Sequence, residues 1–282
     1  MMPRFDDLHD PVPTAEAPPA EALGPEIDTT VPHSARIWNY WLGGKDHYAV
    51  DRIAGDEYKR TFPAIVDVAR AQRAFLGRAV RHLAGEVGIR QFLDIGTGLP
   101  TVDNTHEVAQ RVDPRCRIVY VDNDPMVLAH ARALLTSTPK GATAYVDADL
   151  RDIDTILAGA EPILDLDEPV AVMLLGILGH ISTTEEAREI VERLVDAVAL
   201  GSYLVLADGT STLDERSRAQ DRYNNSGAAP YQLRTPDEIE SILNDLELLD
   251  PGVVTPPLWR PEPLEIGTPQ PVESLCGMAV IR

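Results

Sequence analysis

Phe92-Leu93-Asp94-Ile95-Gly96-Thr97-Gly98 is the stretch on which the reading of this 282-residue chain turns. A short apolar run that stops at Gly-x-Gly reads as a strand entering a tight turn, because glycine adopts positive φ freely and lets a ligand approach the backbone. Outward from it, after Gly88, apolar runs alternate with amphipathic stretches, the pattern of βα units and a mainly parallel sheet. Strands are expected near 91–95, 117–121, 143–146, 169–176 and 202–207, and helices near 104–111, 125–136, 184–199 and 236–245. Two further strands, near 247–254 and 275–281, would complete seven in one doubly wound α/β sheet. Upstream, Ile37, Trp38, Tyr40, Trp41 and Leu42 form a short apolar helix stopped by Gly43-Gly44, and a second helix runs from His47 to about Arg60. Pro63 suits the first turn of a longer helix, in which Ile65, Val66, Ala69, Phe75, Leu76, Ala79, Val80 and Leu83 recur at helical spacing.

Residues 1–33 are rich in proline and acidic side chains, too poor in apolar surface to offset ordering, and read as a flexible N-terminal tail. The rest, 34–282, reads as one domain: a helical cap over 34–88 and a Rossmann-like core over 89–282. Acidic residues outnumber basic ones by 45 to 25, a net charge of −20 that repels a phosphate backbone and disfavours nucleic-acid partners. Cys116 and Cys276 both lie in apolar runs and read as small buried hydrophobes; two thiols cannot make a metal site alone, and no metal is expected. No apolar run is long enough for a membrane span and no leader is evident, so the expected location is the cytoplasm.

In a doubly wound sheet, ligands collect beyond the carboxyl ends of the strands where the strand order reverses. Asp94 there supplies an acid for an ammonium group, while Gly96, Thr97 and Gly98 with the following helix start offer N–H groups to a carboxylate. Such a site suits an amino-acid head group better than a pyrophosphate. Asp122 ends the second strand, 24 residues beyond Gly98, where a carboxylate takes both hydroxyls of a ribose. Its alternative role as a helix cap is already filled by Asn123 or Asp124 ahead of Pro125. Asp149 and Leu150, after the third strand, suit an adenine amino group and ring, with a solvated acidic loop as the plainer reading. Gly-x-Gly alone also begins dinucleotide folds, but Thr101 replaces the third glycine, Pro100 stiffens the turn, and an acid stands two residues before Gly96.

These residues resemble those of class I S-adenosylmethionine-dependent methyltransferases, and more narrowly an actinobacterial S-adenosyl methyltransferase family long known as a domain of unknown function. The matching blocks run from Ala35 to Asp46, Phe92 to Thr101 and Val119 to Pro125, with weaker ones at Ala148–Asp152, Pro251–Val254 and Trp259–Pro261. The resemblance implies S-adenosylmethionine as cofactor, a seven-stranded sheet with an antiparallel last strand, and helices ahead of the sheet that cover the cofactor cleft. Residues 36–47 are expected to close over the cofactor, bringing Tyr40, Gly43 and Lys45 to it together with Asp94, Gly96, Thr97, Gly98, Asp122, Asn123, Asp149 and Leu150. One departure stands out: family members usually carry Leu-His-Phe after the fourth strand, whereas this chain has Leu178-Gly179-His180. The histidine has either moved by one position or lost its role.

Methyl transfer from a sulfonium is an in-line displacement that draws chiefly on near-attack geometry. Candidates for a proton-accepting group are His180, Asp208, Tyr40 and His47. There is no Asp/Asn-Pro-Pro-Tyr/Phe after the fourth strand and no Pro-Cys pair, so base-methylating chemistries are not indicated. The expected acceptor is a small molecule, such as a secondary metabolite, reacting through oxygen or nitrogen. The alternatives are a cofactor-binding regulatory or catalytically degenerate protein and, more distantly, an NAD-dependent oxidoreductase. The polar stretch from Asp214 to about Asn225, with Arg216, Arg218, Arg222 and Tyr223, reads first as a solvated helix face and second as part of an acceptor wall.

Overall fold

The computed structural model describes residues 27–134, 136–262 and 269–282. Seven strands build one sheet: β1 (Gln91–Ile95), β2 (Arg117–Asp122), β3 (Ala142–Asp147), β4 (Ala171–Leu175), β5 (Tyr203–Gly209), β6 (Glu247–Leu248) and β7 (Ser274–Val280). Their order is β3-β2-β1-β4-β5-β7-β6, parallel throughout except for β7, which runs antiparallel between β5 and β6. The order reverses between β1 and β4, which opens a crevice at their carboxyl ends.

Side chains alternate across the pleat, so each central strand feeds two cores. Leu93, Ile95, Val119, Val121, Val172, Leu174, Leu204 and Leu206 meet α6 (Ile153–Ala160), α7 (Thr184–Asp196) and α9 (Pro236–Leu243) on one face. Phe92, Ile118, Tyr120, Met173, Val205 and Met278 meet the second half of α3 (Ile65–Arg81), α4 (Thr105–Val112) and Trp259 on the other. A third cluster joins α1 (Ser34–Trp41), α2 (Ala49–Thr61), the first half of α3 and α8 (Asp214–Asn224) through Ile37, Trp41, Tyr58, Phe62, Val68 and Tyr223. Helix α3 is thus a beam shared by the sheet and the helical cap.

The expected tail lies outside the described residues as far as residue 26. Residues 27–33 run against the body: Arg36 donates to the carbonyls of Asp28 (3.0 Å) and Val31 (2.5 Å), and His33 N–H donates to Asp51 Oδ1 (2.9 Å). Asp51 is fully buried and also takes Arg36 Nε and the Tyr48 N–H, so one carboxylate ties the incoming strap, α1 and α2 together.

The elements depart most from expectation in three places. The strand expected over 247–254 keeps only two residues in the ladder, because Pro251 has no N–H and Gly252 turns at φ +81°; the chain rejoins the sheet as an isolated bridge between Val254 and Cys276. The strand expected to reach Gly176 stops at Leu175, where that glycine takes φ +77°. Helix α6 was not anticipated, since its eight residues offer only two turns of periodicity; Asp152 caps it by accepting the Thr155 N–H (3.2 Å).

Trp259 is completely buried, edge-on to Phe75 at 5.2 Å, and its carbonyl accepts Arg78 Nε (3.0 Å). Trp259→Ala is expected to lower the unfolding free energy by about 3–5 kcal/mol in urea titrations, whereas Leu258→Ala next to it, 39% exposed, should change it by less than about 0.5 kcal/mol.

Candidate functional site

The turn after β1 is held from both sides. Gly96 N–H donates to the Val121 carbonyl (2.8 Å), Gly98 N–H to Asp122 Oδ2 (2.9 Å), and Thr97 Oγ1 to the Asp94 carbonyl (3.1 Å). Gly96 has φ +74°, and a Cβ there would stand 2.6 Å from Ile177, so both backbone freedom and space require glycine. Helix α4 begins at Thr105, close to the expected start near 104, and a loop of several residues separates it from Gly98. Asn104 caps α4, and the intervening loop is gripped by Arg73, which donates to the Val102 carbonyl (2.8 Å) and to Asn104 Oδ1 (3.1 Å).

Asp94, 4% exposed, accepts the Thr105 hydroxyl at 2.6 Å. Burial pushes its carboxyl up to about 6, against the pull of Thr105 and Arg73. Asp122 accepts N–H groups from Gly98 and Asp124 (2.9 Å each), and burial raises it as well. It does not cap the next helix, α5 (Pro125–Leu134): Asp124 Oδ1 does, taking the Met126 N–H at 2.8 Å. Asn123 Nδ2 donates to Asp149 Oδ2 (3.2 Å), and Asp149 also pairs with Arg151.

Asp94, Gly96, Thr97, Gly98, Asp122, Asn123, Asp149 and Leu150 all line one cavity of about 400 Å³, at the scale of small-ligand sites. Its far half lies under the helical cap, walled by Ile37, Trp38, Trp41, Tyr58, Ile65 and Tyr223, with Gln72, Arg216, Gln220 and Tyr231 as polar members. His180 stands at the junction. Its Nδ1 lies 2.9 Å from the Pro230 carbonyl, its ring meets Tyr231 edge-on at 5.2 Å, and burial holds its pKa below the usual value.

The remaining expected residues are not brought to the cavity. Tyr40 donates to Asp56 Oδ1 (2.7 Å) and packs on His47, whose Nε2 bonds the Gly44 carbonyl; Gly43 and Lys45 are exposed. The glycine pair has a local reason: Gly43 ends α1 at φ +84°, and a Cβ on Gly44 would stand 2.2 Å from Asn39 Oδ1. Asp208 is fully buried behind the wall, paired with Arg234 (3.0 Å) and accepting the Tyr231 hydroxyl. Arg234 in turn donates to the carbonyls of Leu178 (2.9 Å) and Ile181 (2.8 Å), fixing the turn that carries His180. Gly179 is bare because the Tyr231 ring fills the place of a side chain, 2.1 Å from where its Cβ would be.

Sequence reading missed Gln72, Arg73 and Tyr231, whose neighbours in the chain carry no motif. In α8, Arg216, Ala219, Gln220 and Tyr223 form the buried face while Arg218 and Arg222 are exposed, so the solvated-face reading holds for only half of the helix. The i, i+3, i+4, i+7 spacing was present but written partly in polar residues.

Residues 20–282 match the family model described as S-adenosyl methyltransferase, and the chain belongs to that family. A solved Streptomyces avermitilis protein of the DUF574 family is 43% identical, with 91% of this chain and 100% of that chain covered and a TM-score of 0.86. A second, a proposed methyltransferase from Thermobifida fusca, is 40% identical over 90% of this chain and 97% of its own, with a TM-score of 0.82. No curated protein matches. The protein is therefore an S-adenosylmethionine-dependent methyltransferase with a class I fold. The buried, ionisable Asp94 beside an open glycine turn fits the cationic head of that cofactor.

A carboxyl raised by folding favours the native state at low pH and loses that contribution as pH rises through the native value. With Asp94 near 6 against an unfolded value near 3.9, its ionised form costs the protein roughly 3 kcal/mol at pH 7. Asp94→Asn is expected to raise the thermal midpoint of the ligand-free protein at pH 7 and to leave it unchanged near pH 4, as measured by calorimetry across that range.

Proposed function

We propose that this methyltransferase transfers its methyl group to oxygen or nitrogen of a small molecule held in the aromatic half of the cavity, by in-line displacement. The observation that carries this reading is that the acidic glycine turn and the aromatic chamber line one continuous cavity. An acceptor in the chamber lies in the same water-poor space as the donor, the arrangement that near-attack geometry needs. The net charge of −20 favours a free metabolite, secondary metabolites included, over a nucleic acid, and the absence of any helix long and apolar enough to cross a membrane among the described residues is compatible with a cytoplasmic enzyme.

Asp94 would hold the cofactor's ammonium, the backbone from Gly96 to Gly98 its amino-acid portion, and Asp122, with Asn123 beside it, the ribose hydroxyls. Asp149 would accept the adenine amino group and Leu150 would pack on the ring. Tyr40, Gly43 and Lys45 are left out of this set because they stand outside the cavity. When bound, the cofactor supplies an electrophilic methyl on a sulfonium. The chain's own task is to orient the acceptor and remove its proton.

His180 is suited to that task. A carbonyl only accepts, so Nδ1 facing Pro230 carries the hydrogen and Nε2 is left with a lone pair; the lowered pKa keeps the ring neutral at pH 7. Asp208 acts at a distance, holding Tyr231 and, through Arg234, the His180 turn. Tyr40 and His47, packed ring on ring outside the cavity and bonded to Asp56 and the Gly44 carbonyl respectively, are not assigned a proton-transfer role.

Calorimetric titration should give micromolar binding of S-adenosylmethionine and none of NAD, and Asp122→Ala should weaken the cofactor more than about tenfold. Because Asp94 must be ionised to receive an ammonium, affinity should fall by about tenfold per pH unit below pH 6, a dependence that Asp94→Asn flattens. His180→Asn should lower the rate of tritiated-methyl incorporation into a metabolite extract by about 100- to 10,000-fold with cofactor affinity intact; an unchanged rate would remove His180 from the chemistry.

A further inference from the structure

We infer that Arg216 is the anion-recognising residue of the aromatic chamber and that the methyl acceptor carries a carboxylate. This deepens the reading of that chamber as the acceptor site and rests on it. Arg216 is 3% exposed and lines the cavity from α8. Its Nε and Nη1 are buried without a hydrogen-bond partner, and no carboxylate among the described residues lies within ion-pair distance of it. Its neighbours include the Phe62 ring, 5.6 Å from the guanidinium carbon, the Tyr58 hydroxyl, to which it donates, and Gly209 and Tyr231.

The other arginines buried to the same degree are treated differently. Arg36 is paired with Asp51 and two backbone carbonyls, and Arg234 with Asp208 and the carbonyls of Leu178 and Ile181. Taking a guanidinium out of water is costly unless an anion and hydrogen-bond acceptors replace the water. A ring face offsets part of the charge, and the neutral Tyr58 hydroxyl takes one N–H without supplying an anion. Among the buried arginines of the described residues, Arg216 keeps two unpartnered donors and no carboxylate, and it does so on the wall of a cavity; Arg234 keeps one such donor, Nε, but has its anion in Asp208.

The chemistry of the wall selects the anion. Arg73 and Arg151, the other cations that line the cavity, are occupied by Val102 and Asn104 and by Asp149 and Glu186 respectively. A single guanidinium fork matches one planar carboxylate, whereas a phosphate dianion calls for further charge. Around it, Trp41, Tyr58 and Tyr223 accommodate an apolar, flat body, and Tyr231 leads along the wall to His180. The acceptor is thus an aromatic or similarly apolar acid, anchored by its carboxylate at Arg216 and presenting its hydroxyl or amine at the His180 end.

The test is calorimetry on the full chain, with and without S-adenosylhomocysteine, using benzoate, 4-hydroxybenzoate and indole-3-carboxylate, the primary amide of each, and phenyl phosphate. At least one acid is expected to bind roughly ten- to a hundredfold more tightly than its amide, and Arg216→Met should abolish that difference while leaving the affinity for S-adenosylhomocysteine unchanged. Arg216→Lys, which keeps the charge and loses the fork, should bind the acid with intermediate affinity and serves if the methionine variant does not fold. The inference is overturned if no acid binds better than its amide, if the preference survives in Arg216→Met, or if phenyl phosphate is preferred. Failure of S-adenosylhomocysteine to bind alongside an Arg216-dependent acid preference would overturn the methyl-transfer reading and support the anion site; the converse result would overturn the anion site alone.

Discussion

Everything in this molecule follows from the reversal of strand order between β1 and β4. Connections from the two neighbouring strands leave toward opposite faces, so their carboxyl ends part and no sheet element can fill the gap. Both strands turn there on left-handed glycines, Gly96 and Gly176, and Ile177 presses where Gly96 has no side chain. The crevice is therefore narrow at its floor and polar along its β1–β2–β3 side, where Asp94, Asp122 and Asp149 stand at or just beyond the strand ends.

A crevice of this kind remains open to water unless other elements cover it, and here the cover is α1, α2, the first half of α3 and α8. Its attachment is economical. Asp51 joins the strap, α1 and α2; α3 continues into the sheet's own core; and Arg234 binds the turn after β4 to the segment that follows α8. Helix α8 is the part of the cover that departs furthest from simple packing. A helix selected for stability alone would bury an apolar stripe, whereas this one buries Arg216 and Gln220.

The fold was largely legible because parallel strands buried on both faces read as apolar runs, and the glycine turn marks the first of them without ambiguity. The short α6 and the truncated β6 were not legible, since two turns of helix carry little periodicity and a strand end depends on where Pro251 and Gly252 leave the ladder. The acidic half of the cavity was legible for the same reason as the fold: Asp94, Asp122 and Asp149 occupy fixed offsets from strand ends. The chamber was not. Its residues come from four helices and the 228–234 segment, far apart in the chain, and Tyr231 and Gln72 belong to no motif. The block from Ala35 to Asp46 is instructive, because Trp38, Asn39 and Trp41 reach the cavity while its glycine pair answers to Asn39 and the end of α1.

Helix α1 touches both halves of the cavity. At its start His33, Ser34 and Ala35 stand by the acidic side, where His33 lies 2.9 Å from Asp124, two residues beyond Asp122; further along, Trp38 and Trp41 wall the chamber. A rigid rod of eight residues cannot shift at one end and stay still at the other. One packed element thus carries side chains to both ends of the cavity, and the acidic turn and the aromatic wall keep a fixed spacing through it.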